Sequence, residues 1–406
     1  MPTRRRLLAL LLASGAGPAI AQETRDRPGA PLSPWRPGEV DIHHIATGRG
    51  DSALVVGPDG RTVLIDAGAS ASPAESSTPA RPDASRNAGD WIGRYVRRRL
   101  RDTGGRRLDH ALVTHIHPDH VGDPAVGTAD PRGYARTGLS AVAEVVPIGV
   151  IVDRGAPDYA VPAVGGDPTW LNHRRFVAAR LSEGGRVERV RVGDPEQCGP
   201  AGGGFEIRPL IANGEVWTGV GRATRDLFAS RAPGDVIDEN PCSIGLRLSH
   251  GRFRYFTGGD LVSYTADGAL PWRDVETAAA RICGRVDVAV APHHGMFDAV
   301  GAEMARALRP RAWVIQAWHA AHPGMLQLER MLNARLYPGP REVFATGLTE
   351  ASRITNDRLV RRMAASDGHV IVRVAADGGS FRIVVTSNRD ETDTVTGVHG
   401  PWRAGV

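Results

Sequence analysis

Thr114-His115-Ile116-His117-Pro118-Asp119-His120 gathers three imidazoles and a carboxylate into six residues, directly behind the apolar run Ala111-Leu112-Val113. A short buried strand that ends this way is not building core, because every polar ring would need a buried partner of its own. Imidazole nitrogens combined with carboxylate oxygens form the donor set of zinc or a similar divalent ion. His115 and His117 alternate, so an extended loop can turn both toward one metal. Asp119 and His120, just beyond, can turn toward a second.

Outward from that stretch, residues 40–45 and 53–56 read as strands around the glycines of Thr47-Gly48-Arg49-Gly50. The turn Pro58-Asp59-Gly60 leads to a third strand at 62–65. Residues 69–90 are dense in Ala, Ser and Pro without periodicity, which predicts a long loop of the lid or disordered kind. Trp91, Ile92, Tyr95, Val96 and Leu100 then recur at helical spacing, with arginines opposite. Later strands are expected at 149–152, 243–248, 254–257, 286–291, 312–316, 343–346 and 369–374, with 381–386 closing the sheet. Helices are expected near 170–182, 299–307 and 325–336. Strands mixed with helices, after hairpins at the start, argue for an α/β layered sandwich. Asp153, ending the strand at 149–152, reads either as a ligand or substrate contact or as an exposed turn residue beside Arg154. His173 and His250 read as surface residues, and His43, His44 and His110 as packing or surface.

The chain has 406 residues, 41% hydrophobic and 23% charged, a composition that excludes wholesale disorder. Its formal charge is +5. Arg4, Arg5 and Arg6 precede the apolar run 7–12, and Ala19-Ile20-Ala21 offers a small-x-small cleavage pattern. That run is too short to span a bilayer, so 1–21 reads as a Tat-like signal peptide and the protein as periplasmic or secreted. Its removal leaves a charge of about +2, too little to argue for nucleic acid on charge alone. No stable membrane association is expected after processing, and no protein partner is evident. Residues 22–38 read as a flexible leader, 39–390 as one domain and 391–406 as a C-terminal tail. Cys198, Cys242 and Cys283 form no C-x-x-C pair and read as structural, as buried thiols or with one disulfide.

Three further pieces follow in order: Val63-Leu64-Ile65-Asp66-Ala67-Gly68, Phe256-Thr257-Gly258-Gly259-Asp260 and Ala291-Pro292-His293-His294-Gly295. Together with H-x-H-x-D-H after a buried strand, they resemble the metallo-β-lactamase superfamily, a four-layer αββα sandwich with one or two metals at one edge. The resemblance spans residues 40–325. It implies His115, His117, Asp119, His120, Asp260 and His293 as metal ligands, with Asp260 bridging and Asp66 holding the histidine loop from behind. His294 would face the substrate or act as an acid; the reverse assignment of the doublet stays open. Asp119 could also orient or accept a proton. His319 and His322 lie where relatives place a histidine near the pocket, or are structural. Two ions about 3.5–4 Å apart would bring the pKa of a shared water toward ~7, zinc being expected and manganese or iron the alternatives.

Within that superfamily the nearest resemblance is to the hydrolase domain of ComEC-type proteins and their stand-alone secreted relatives. It rests on 46–51, on Asn240-Pro241-Cys242-Ser243 and on His293-His294-Gly295-Met296. Met296 replaces the usual serine and Asp123 a usual glycine, departures that bear on substrate rather than metal. The implied substrate is an ester, specifically a phosphodiester of a nucleic acid or of a smaller molecule. Lactone or β-lactam hydrolysis, or a non-catalytic binding role on the same scaffold, are the alternatives.

Overall fold

The computed structural model describes residues 25–160, 162–199 and 202–405; the expected signal peptide 1–21 and the first residues of the expected leader, 22–24, lie outside them. Two large sheets organise the chain. The first runs, in spatial order, Val395–Arg403, Ser380–Thr386, His369–Val374, Val40–His44, Ala53–Val56, Thr62–Ile65, Leu108–Leu112, Ile148–Asp153 and Arg186–Arg189. The second runs Thr224–Asp226, Glu215–Trp217, Phe205–Ala212, Gly245–His250, Phe253–Thr257, Val288–Val290, Ala312–Ile315 and Glu342–Ala345.

Strand alternation sends one strand's side chains into two different cores. Ala53 and Val55 face the second sheet, while Leu54 and Val56 face helices. Between the sheets, Ile42, Val63 and Ile65 pack with Leu246, Tyr255 and Val314. Helix Ala88–Thr103 lays Ile92, Tyr95, Val96 and Leu100 on the outer face of the first sheet, joined by Pro168–Ser182 through Phe176 and Val177. Helices Val275–Cys283, Ala302–Leu308 and Met325–Leu332 cover the second sheet through Ala279, Met304 and Leu328. The architecture is therefore an αββα sandwich. Central strands buried on both faces account for apolar runs without strict alternation.

The chain ends differ from expectation. Residues 25–38 are not a flexible leader: Leu32 and Trp35 are buried, and Arg373 donates to both Asp26 and Asp41. A buried guanidinium needs its charge matched, and Asp26 supplies half of that match. Residues 391–406 are not a loose tail either, because Val395–Arg403 pairs antiparallel with Ser380–Thr386 and is the true edge of the first sheet. The stretch 154–240 supplies helix Pro168–Ser182, the other edge of the first sheet and three strands of the second. Its strands at 186–189 and 224–226 are polar and largely exposed, so no apolar pattern announces them. Cys198, Cys242 and Cys283 are buried free thiols. No helix among the described residues is long and apolar enough to cross a membrane.

Strands Thr62–Ile65, Leu108–Leu112 and Ile148–Asp153 are mutually parallel. So are Phe253–Thr257, Val288–Val290 and Ala312–Ile315 in the other sheet. Asp66, the 114–120 segment, Asp260 and the 293–294 doublet all follow the carboxyl ends of these strands. In parallel sheets that edge is where ligands gather.

Candidate metal centre

Asp66 turns the chain at the end of its strand with φ 58°. Its Oδ1 accepts the Thr114 backbone N–H at 2.7 Å, and Oδ2 accepts the Thr114 hydroxyl at 2.7 Å. His120 Nδ1 donates to the same Oδ2 at 2.9 Å. With Nδ1 engaged, His120 presents Nε2 as its free donor atom. Asp119 lies in the first turn of the short helix Pro118–Val121. Its carbonyl accepts the Asp51 N–H at 2.8 Å, and Gly68 N–H donates to the Asp51 carbonyl at 2.9 Å. A Cβ on Gly68 would stand 1.9 Å from the Asp119 oxygen, and one on Gly50 2.3 Å from it. These two glycines allow three backbone segments to close on Asp119.

From the second sheet, the Asp260 N–H is held by the Ser243 hydroxyl at 3.1 Å. His293 and His294 both adopt left-handed conformations, with φ 47° and 53°. Two consecutive residues strained in this way cost on the order of 1–3 kcal/mol each and mark sites where geometry is imposed for a purpose. The turn splays the two rings to a 6.1 Å centroid separation.

The side chains converge in two groups that share Asp260. Asp119, His120, Asp260 and His294 offer ligand atoms all within 4.8 Å of one another, and so do His115, His117 and Asp260. His120 Nε2 lies 3.2 Å from Asp260 Oδ1, and His294 Nε2 lies 3.0 Å from Asp119 Oδ2. His115 Nε2 lies 3.5 Å from Asp260 Oδ2 and 3.1 Å from His117 Nδ1. His120 Nε2, His294 Nε2 and Asp260 Oδ1 are buried and, close as they lie to one another and to Asp119, make no well-directed hydrogen bond among the described residues. Buried polar atoms are rarely left so. Three of them converging from two sheets is the arrangement a divalent ion satisfies, and the residues present fit one.

Charge balance points the same way. Burial disfavours the cation at His120, yet the carboxylates of Asp260, Asp119 and Asp66 outweigh it and raise its pKa well above the imidazole range. His294 is raised for a like reason, with Asp51 and Asp260 overcoming burial. Burial, helped by the neighbouring His120 cation, pushes His115 down to about 3. Asp119 and Asp260 are held low despite burial, chiefly by His120. The carboxylates thus demand positive charge at this point, and a metal taking that place displaces protons.

The two histidines of the doublet take different surroundings. His294 joins the group with Asp119, His120 and Asp260, its Nδ1 facing the Gln316 carbonyl at 3.0 Å and Asp51 Oδ1 at 2.9 Å. His293 is drawn aside: Nδ1 donates to Asp298 at 2.7 Å, and Nε2 is 3.3 Å from the Asn240 amide and 3.7 Å from Asp260. Asp153 is outside both groups. Its carboxylate is filled by the N–H groups of Gly155 and Ala156, the Tyr159 hydroxyl and His173 Nε2. His173 and His250 are buried, not surface residues. His322 stacks on His294 with centroids 4.3 Å apart, placing it at the rim of the centre.

Several contributors escaped the sequence reading. Asp51, Gln316, Asn240 and Asp298 each touch a histidine of the doublet or support one that does. Glu239 accepts the Ile116 N–H at 2.8 Å and pairs with buried Arg154, bracing the histidine loop from the far side. Asp51 and Asn240 carried a signal, as members of the 46–51 and 240–243 segments, though neither was given a role at the centre. The loop at 69–87 crosses between sheets: Thr78 N–H donates to the Trp318 carbonyl and Ala320 N–H to that of Ser76.

Residues 46–124 match the family described as the metallo-beta-lactamase superfamily. They hold the hairpin, the Asp66 segment and the whole histidine motif, so the similarity covers the part of the chain that builds one side of the centre. Among solved structures it is similar to the CmlA beta-hydroxylase in a mutant form, at 14% identity and TM-score 0.40, covering 84% of this chain and 54% of that one. It thus spans about half of that protein's length. It is also similar to a diphosphatase from the PhnP family, at 11% identity and TM-score 0.35, covering 83% of this chain and 98% of that one. No curated protein matches it by sequence.

Proposed function

We propose that the chain is an exported metal-dependent hydrolase that cleaves a phosphodiester, in a nucleic acid or a smaller phosphorylated ester, at a centre of two divalent ions, zinc by preference. The convergence of unpartnered His120 Nε2, His294 Nε2 and Asp260 Oδ1 carries the reading. Ions held there supply Lewis acidity, which acidifies water and draws charge from an ester oxygen. The chain's residues do the rest. Asp260 faces His120 and His294 with Oδ1, and His115 and His293 with Oδ2. Asp51 and the Gln316 carbonyl fix His294 so that Nε2 stays on the Asp119 side. His293, oriented by Asp298, is the group best placed to hold a proton for a leaving oxygen. The 240–243 and 293–296 segments, similar to ComEC-type relatives, support the phosphodiester, and the twin arginine with Ala19-Ile20-Ala21 supports export.

Elemental analysis of purified protein, run with hydrolysis of bis(p-nitrophenyl) phosphate, tests this. The expected result is about two ions per chain and chelator-sensitive turnover, with most of both lost in His117→Ala. Failure to take up metal even after remetallation refutes the reading. Metal without phosphodiester turnover moves the substrate to lactones or β-lactams.

A further inference from the structure

We infer that the chain has an anion-binding subsite beside the metal centre, which takes a phosphate-class group. It is a cavity of about 350 Å³ between the hairpin at 46–51, the 69–87 loop and the start of helix Ala88–Thr103. The volume is in the range of small-ligand sites. Every charged residue lining it is an arginine: Arg49, Arg81 and Arg86. None of the three has a carboxylate within 4.0 Å among the described residues, although Asp83 on the same loop feels the Arg86 charge; Arg49 Nη1 is pinned to the Gly48 and Thr78 carbonyls at 2.6 and 2.5 Å, and Arg86 lies 5.7 Å from the Trp91 ring. Three like charges around one hollow repel each other unless an anion joins them. Guanidinium forks match phosphate oxygens in geometry. The helix start adds positive potential of its own, partly offset by Asp90 in its first turn. Thr47 lines the same cavity, 3% exposed, with a hydroxyl that has no hydrogen-bond partner among the described residues.

The cavity is wired to the metal-bearing segment. Ala69 N–H donates to the Pro118 carbonyl, Asp123 N–H to the Ala69 carbonyl and Ser70 N–H to the Arg49 carbonyl. The anion site does not depend on the hydrolase reading.

Calorimetric titration of the purified protein with inorganic phosphate at low salt tests the site. The Arg81→Gln/Arg86→Gln double variant is expected to bind phosphate roughly tenfold more weakly or not at all, with an unchanged melting midpoint. Arg81→Lys is expected to retain part of the affinity, and His117→Ala to retain phosphate binding. Wild-type protein that binds no phosphate overturns the inference. So does a double variant that binds like wild type, or binding that disappears only with His117→Ala. Arginine-dependent phosphate binding without any turnover would leave the subsite standing and remove the hydrolase reading.

Discussion

Replacing Arg154 by methionine removes a fully buried guanidinium that donates to Glu239 Oε1 through Nε and to Oε2 through Nη2, both at 2.5 Å. Burial lowers the Arg154 pKa, but the Glu239 contact more than reverses this and raises it. Glu239 is 5% exposed and also receives the Ile116 N–H, so it cannot turn out to water without releasing the loop between His115 and His117. The variant leaves a buried carboxylate uncompensated, which costs about 3–5 kcal/mol. Glu239→Leu should cost a similar amount, because it strands the guanidinium. The double variant removes both charges and loses mainly the Ile116 hydrogen bond, so its cost should fall to about 1–2 kcal/mol. Urea unfolding at pH 7.5 and fixed metal concentration measures all three, closing a double-mutant cycle. If the double variant loses the sum of the two single losses, or Arg154→Met loses less than about 1 kcal/mol, the pair does not brace the loop as argued.

Asp51→Asn weakens the hold on His294 and should lower metal affinity by roughly 10–100-fold in a chelator competition, with the fold intact. Gly68→Ala drives a Cβ to 1.9 Å from the Asp119 carbonyl and should abolish metal loading, read by elemental analysis. His43, His44 and His369 are buried and neutral, with burial pushing their pKa values down to about 3, 4 and 4. The unfolded chain therefore binds more protons than the folded one below pH 6.5, and stability is lost as pH falls toward 4, by up to about 4 kcal/mol per pH unit if all three titrate. His44→Gln should flatten the slope of unfolding free energy against pH by about a third; an unchanged slope removes His44 from the account.

A layered α/β sandwich was legible because the short apolar runs 62–65 and 111–113 end in chemistry-bearing turns, and the αββα order followed from the family resemblance those turns carry. The chain ends were not, since Leu32 and Val395 are single apolar residues whose burial depends on Ile371 and Val384 across the sheet. Arg373 looks like a surface charge in a strand until Asp26 and Asp41 are brought to it. Asp153 ends an apolar strand as a ligand would, but Tyr159 and His173, brought in by the following turn and helix, consume its carboxylate.

Sequence by itself determined the donor set at 115–120, because those side chains are neighbours along the chain and a strand end leaves them few directions. It also determined Asp66 and Asp260, each the first polar residue after a strand in its own sheet. Which histidine of the doublet joins them was decided only by tertiary structure. The left-handed turn at 293–294 sends His293 to nearby Asp298 and His294 to the Gln316 carbonyl and to Asp51. Of these, Asp51 comes from the other sheet, and local sequence carries no record of a partner more than two hundred residues away.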